Sequence, residues 1–174
     1  LRCTVLQDTD SLKRNLNLFV VSTDEAGRLI ETNRTIKDNL KFWINDYKMI
    51  SDTIDILNAK IINIGVNFVV TSEDGFDKYE TLESCRVELT EYFNSHFEIG
   101  EPLYITKLYQ MLNNVEGVLD TTNIEIVSKI GSRYSTTFFD VEDNMSSDGR
   151  ILFLPSDCIF EVKFKPVDIV GLIK

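Results

Sequence analysis

Ala59–Ser72 reads AKIINIGVNFVVTS. Within it Ile62, Ile64, Val66, Phe68 and Val70 alternate strictly with Ile61, Asn63, Gly65, Asn67 and Val69. Successive side chains of a strand point to opposite faces, so this pattern predicts one long strand with a continuously apolar face and a mixed second face. A sheet built on such a strand is covered fully on one side and only partly on the other.

Working outward, Leu16–Ser22 (LNLFVVS) is a second β-rich run, closed by the turn-forming TDEAGR. Thr32–Ile50 then carries Ile36, Leu40, Trp43, Ile44 and Tyr47 at offsets of four, three, one and three. That spacing predicts an amphipathic helix capped by Thr32 or Asn33, its apolar side inward and Lys37, Asp38 and Lys41 toward solvent. Trp43 is thereby expected in the core, where truncation to Ala unfolds the domain at a cost of roughly 3–5 kcal/mol.

Beyond the long strand, a helix is predicted over about 77–97, with Leu82, Cys85, Leu89, Tyr92, Phe93 and His96 as its apolar side. Pro102 breaks any continuation. A shorter helix follows over 106–114, with Thr106 as N-cap, Leu108, Met111, Leu112 and Val115 inward, and Gly117 ending it. VLDTTNIEIVSKI, from Val118, reads as a further strand through Ile124, Ile126 and Ile130. Gly131–Arg150 has no sustained periodicity and reads as a long hairpin arm or mobile loop. ILFLPSDCIFEVKFK, from Ile151, gives a final strand pair.

The expected fold is therefore α+β: two layers, helices packed on a mostly antiparallel sheet, in a ferredoxin-like version with a C-terminal strand pair and a long arm. Residues 1–16 are expected as an extension or linker, 17–130 as the core domain, and 131–174 as an arm and strands completing it.

Composition narrows the function. The 174 residues are 43% apolar and 26% charged, which is globular rather than disordered. A net charge of −10 argues against nucleic acid and against an anionic membrane, because both require Lys and Arg to meet phosphate. No apolar run reaches the ~20 residues that span a bilayer. The chain opens on Leu1 with no signal peptide in view, as expected of a piece of a longer protein. Cys3, Cys85 and Cys158 are scattered and odd in number, which suits a reducing compartment, excludes a CxxC zinc site, and makes them small buried apolar residues.

Nothing in the chain assembles into chemistry. His96, the single histidine, has no local nucleophile or orienting partner and reads as structural. Glu73, Asp74, Asp77 and Glu80 flank a turn and a helix start, where acids favour the helix dipole. Asp140–Ile151 superficially resembles a calcium loop. However, Met145 stands where glycine is needed and Ile151 where the bidentate glutamate is needed. Asn33-Arg34-Thr35 and Asn144-Met145-Ser146 match the glycosylation pattern by chance. Phosphate cradles and nucleophile elbows are missing too, so no catalytic residue, cofactor or metal is expected.

One resemblance stands beside this reading. The helix after ETNRTIKDNL, AKIINIGVNFVV, Gly100-Glu101-Pro102-Leu103, Tyr104 to Leu112, Val115-Glu116-Gly117-Val118 and LPSDCIFEVKFKPVDIVGLI follow one another in an order and spacing that resembles the C-terminal region of baseplate wedge proteins of contractile-tailed, T-even type bacteriophages, the baseplate J-like family. The likeness runs from about Asn17 to the C-terminus. It implies a non-catalytic structural subunit of the virion tail baseplate, assembled in the host cytoplasm. Such a subunit associates with itself, as a homodimer, and with other wedge subunits in a ring around the tail tube, whose rearrangement triggers sheath contraction. The interface candidates are Tyr134, Phe138 and Phe139 on the arm and Val167, Ile169, Val170, Leu172 and Ile173 on the C-terminal KPVDIVGLIK. The alternative is a ferredoxin-like regulatory or ligand-sensing domain, which requires a concave pocket with convergent polar groups.

Overall fold

The alternation of Ala59–Ser72 becomes a 13-residue strand that organises everything else. In the computed structural model, which describes residues 1–8, 15–49, 52–94 and 97–174, the elements run in chain order as follows. Strands β1 (Arg2–Gln7), β2 (Asn15–Thr23) and β3 (Leu29–Ile30) precede helix α1 (Arg34–Asn45). Strands β4 (Thr53–Asn58) and β5 (Lys60–Ser72) lead into helix α2 (Lys78–Asn94). Then come β6 (Leu103–Tyr104), α3 (Ile105–Asn113), β7 (Val118–Ser128), β8 (Ile151–Leu152), β9 (Cys158–Glu161), α4 (Lys165–Asp168) and β10 (Ile169–Ile173). The class is mixed α and β, with four antiparallel pairings (β1–β2, β2–β3, β5–β7, β6–β8) and three parallel ones (β2–β4, β5–β9, β5–β10).

Ile62, Ile64, Val66, Phe68 and Val70 are all buried, and they form the floor of the core. Cys85, Leu89 and Phe93 of α2 and Leu108 and Leu112 of α3 belong to the same apolar cluster, with Ile126 of β7 and Phe160 of β9. On the other face Asn63 and Gly65 are buried, while Asn67 and Val69 are half-buried.

The C-terminal strands do not pair with each other. β8 pairs with β6, whereas β9 lies parallel to Lys60–Asn63 and β10 parallel to Val66–Val70 of β5. Polar backbone groups of a strand alternate between its two edges. Lys60 and Val70 bond Asp157 and Lys174, while Asn63 bonds Lys129. β9 and β10 therefore share one edge of β5 and β7 takes the other. The reason for the expected pair failing is that a parallel partner must come from a distant segment, so periodicity within ILFLPSDCIFEVKFK carries no trace of it.

A second sheet, β1–β2–β3 with β4 beside β2, joins the first at Ala59. Ala59 N donates to Val20 O at 2.9 Å and the chain passes there from one sheet into the other. Residues 2–7, expected as linker, pair along their length with β2.

One local expectation is met by the second of its two candidates, and two need correction. Asn33 is the N-cap of α1, its Oδ1 accepting from Thr35 N at 3.1 Å, while Thr32 is buried against Ser22. The N-cap position of α3 is Tyr104 and not Thr106. Residues 131–150 are not a projecting arm: only the end turns back as a short hairpin, Met145 opposite Leu152, and the rest lies against the body, with Ser135 N donating to Asn63 Oδ1 at 2.6 Å and Phe139 buried edge-on to Phe160.

Candidate interaction surfaces

Helix α1 departs most from expectation, since no residue of it is buried. Its 3.6-residue period is real, but the side seated on the protein is Lys37, Leu40 and Ile44, all half-buried. Lys37, expected toward solvent, donates to Asn58 Oδ1 at 3.2 Å. The adjacent stripe faces away. Trp43 is 58% exposed, Ile36 shares its side of the helix, Phe42 is exposed on another side, and Tyr47 and Met49 are exposed just past the helix end. The Trp43 and Tyr47 rings pack on each other 4.7 Å apart, a small aromatic ridge in water. The sheet beneath is thinly covered too, for β1 and β4 have no buried residue.

The interface candidates read from the sequence fall into two groups. Val167, Val170, Leu172 and Phe138 are exposed. Ile169 and Phe139 are in the core, and Ile173 packs against it half-buried. Tyr134 is half-buried and its hydroxyl donates to Asp168 Oδ1 at 2.7 Å. Asp168 is fully buried and also accepts from Phe164 N at 2.8 Å. Val170 and Leu172 stand opposite Asn67 and Val69 on the mixed face of β5, as neighbours in register. Phe138 lies elsewhere, beside β7.

A cleft of about 180 Å³ gathers Arg2, Arg28, Lys163 and Lys165 around Phe93, Phe97 and Glu161. Much of that charge is locally engaged. Arg28 pairs with Asp24 at 3.0 Å, Arg2 donates to Phe97 O at 2.7 Å, and Lys165 donates to Asn94 Oδ1. α2 has no basic residue in its last turn, so Arg2 and Lys165 supply the cations that its C-terminal end favours. Glu161 accepts from Leu29 N and from Asn63 Nδ2, tying β3 and β5 to β9. Burial pushes its carboxyl above the usual carboxylate range, against the pull of those hydrogen bonds and of Lys163.

The sulfur chemistry is quiet. Burial pushes the Cys85 thiol up to about 11 and that of Cys158 up to about 12, so neither is a thiolate nucleophile near neutral pH. Cys3, expected buried, is exposed. In the segment resembling a calcium loop, Asp140 Oδ1 accepts from Glu142 N and Asp143 N, and Asp148 Oδ1 from Ser146 Oγ at 2.6 Å. Among the described residues no three His, Cys, Asp or Glu side chains gather as a metal set, and no helix is long and apolar enough to cross a membrane. His96 lies outside the described residues.

No protein-family model matches the chain, and no curated protein matches it.

Proposed function

We propose that this chain is a non-catalytic assembly module, held by other protein chains through exposed apolar surfaces. In the terms of the resemblance, it serves as the C-terminal part of a wedge subunit of a contractile tail baseplate. There it binds copies of itself and other wedge subunits in the ring around the tail tube. The observation that carries this is α1. Exposed apolar patches mark protein contacts, and here the Trp43 ring and the neighbouring Tyr47 ring pack on each other in water. Trp and Tyr are also the residues that dominate contact energy when a partner dehydrates them. The wedge assignment rests on the order and spacing of the resembling segments. The finer fold reading belongs with it: helices α2 and α3 on one face of β10–β5–β7 follow a two-layer, ferredoxin-like plan.

The test is sedimentation velocity over a concentration series with wild type and a Trp43→Glu, Tyr47→Glu double variant. The reading expects dimers or larger species in the wild type, burying more than about 1,000 Å², and in the variant a monomer that melts as the wild type does at dilutions where the wild type is monomeric. A wild type that stays monomeric at every accessible concentration counts against self-association.

The ligand-sensing alternative is favoured by one observation, the cleft where Arg2, Arg28, Lys163 and Lys165 converge. It expects a compact anion such as pyrophosphate or citrate to bind there at one per chain by calorimetry. Arg28→Ala, Lys163→Ala should abolish that heat; no heat for either anion removes this reading.

A further inference from the structure

We propose that the free edge of β7 is a strand-addition site, which takes an extended segment of a partner polypeptide with alternating apolar and basic side chains. Backbone parity along β7 decides which of its residues face outward. Lys129 N donates to Asn63 O at 2.9 Å, and Val127, Glu125 and Asn123 lie opposite Gly65, Asn67 and Val69 as the pairs bonded to β5. In an antiparallel ladder the residues between them turn their N–H and C=O groups outward. These are Ile124, Ile126 and Ser128. Tyr109 Oη accepts from Ile124 N at 3.1 Å, which agrees with that outward direction and closes the upper end. The outward backbone groups of Ile126 and Ser128 have no partner among the described residues. The buried Ser128 hydroxyl is also without one.

What faces this edge is a groove. The segment 138–149 and β7 line an open, shallow groove of about 750 Å³. Phe138, 75% exposed, lines it together with half-buried Val141 and Met145. Open edges are normally blunted by Pro, Lys or a covering segment, because they template pairing. The run IEIVS from Ile124 to Ser128 has neither residue.

An added strand lies about 4.8 Å from β7 and satisfies Ile126 and Ser128 through its own backbone. Its side chains then alternate between the apolar wall and the rim. The lining carries the carboxylates Glu125, Asp140 and Glu142 and no Lys or Arg, which selects basic residues for the rim positions. This surface is separate from α1 and does not depend on the assembly reading.

The probe is a fluorescein-labelled peptide of alternating Lys and Val, about seven residues long, as an ordinary strand is. It is compared with a peptide of the same composition in two blocks, by anisotropy and by NMR amide exchange on the whole chain. The alternating peptide is expected to bind and to slow exchange at Ile126 and Ser128. The block peptide is expected to bind at least roughly tenfold more weakly, as is the alternating peptide to Phe138→Ser, which removes an exposed side chain. Ser128→Pro removes the outward N–H together with the side-chain hydroxyl and should abolish binding; if it fails to fold, the exchange data and Phe138→Ser decide. Equal binding of the two peptides reduces the effect to charge attraction and overturns the proposal, as does binding without protection at Ile126 and Ser128. Protection that grows with protein concentration in the absence of peptide assigns the edge to a second copy and overturns it as well.

Discussion

Glu161 is a half-buried carboxylate hydrogen-bonded to Leu29 N and Asn63 Nδ2. Its folded-state pKa is raised, chiefly by burial, above that of an exposed glutamate. The folded chain thus binds the Glu161 proton more tightly than the unfolded chain does. The contribution to stability is fully present below the ordinary glutamate pKa and is lost as pH rises through the folded value. Asp24, Asp148 and Asp157 are shifted down and act in the opposite sense, losing their contribution as pH falls. The prediction concerns the difference between wild type and Glu161→Gln in urea midpoint, followed from about pH 4 to about pH 7. Relative to the variant, the wild type should lose stability across that range, and a flat difference would show that burial does not govern this carboxyl. Trp43 supplies a second contrast. Trp43→Ala is now expected to change stability by no more than about 0.5 kcal/mol, as an exposed position should. Phe68→Ala, at a fully buried ring, should cost roughly 3–5 kcal/mol. Thermal melts of the two variants check both, and a collapse on changing Trp43 would place α1 in the core after all.

At the scale of the element, what the sequence discloses depends on whether the information is local. β5 was legible because strict alternation and burial coincide, and α2 because Cys85, Leu89 and Phe93 recur every four residues. α1 was legible as a helix but its surroundings were not. A 3.6-residue period records that one face is apolar and is silent about what covers it. β4 did leave a signal in Ile54-Asp55-Ile56, a short alternation overshadowed by β5 one residue later. β1 left less, since its half-buried positions are Arg2, Thr4 and Leu6, a row that is mostly polar. Of the interface candidates, Val167, Val170 and Leu172 are exposed as a contact surface requires. Ile169 and Phe139 look alike in sequence but are core, because apolarity alone does not separate the two roles. The parallel seat of β10 on β5 has a testable consequence. A Cβ on Gly171 would meet the buried ring of Phe68 and lie 2.7 Å from Leu82 Cδ1. Gly171→Ala should therefore destabilise by about 1–3 kcal/mol in chemical denaturation, as overpacking does. A neutral result would mean that α2 is not pressed onto β10 at this point.

For the molecule as a whole, the balance is between a charge of −10 and exposed apolar surface. Like charge holds copies apart, while in the proposed assembly burial of the α1 face would draw them or a partner together. Salt separates the two contributions, since the Debye length shrinks from about 10 Å at 0.1 M to about 3 Å at 1 M. Self-association should therefore strengthen as salt rises, whereas the basic strand expected at β7 should bind more weakly. Weaker self-association at high salt would make the contact electrostatic and exclude an apolar α1 seam. Trp43 is the chain's single tryptophan, so its fluorescence reports on that helix face alone. The most direct measurement is acrylamide quenching of Trp43 across a dilution series, with mass followed in parallel by light scattering. Quenching should be strong when the chain is dilute and should fall, with a blue shift in emission, in step with rising mass. Mass that rises while Trp43 stays fully quenchable, or a chain that remains monomeric throughout, would contradict an α1-mediated assembly.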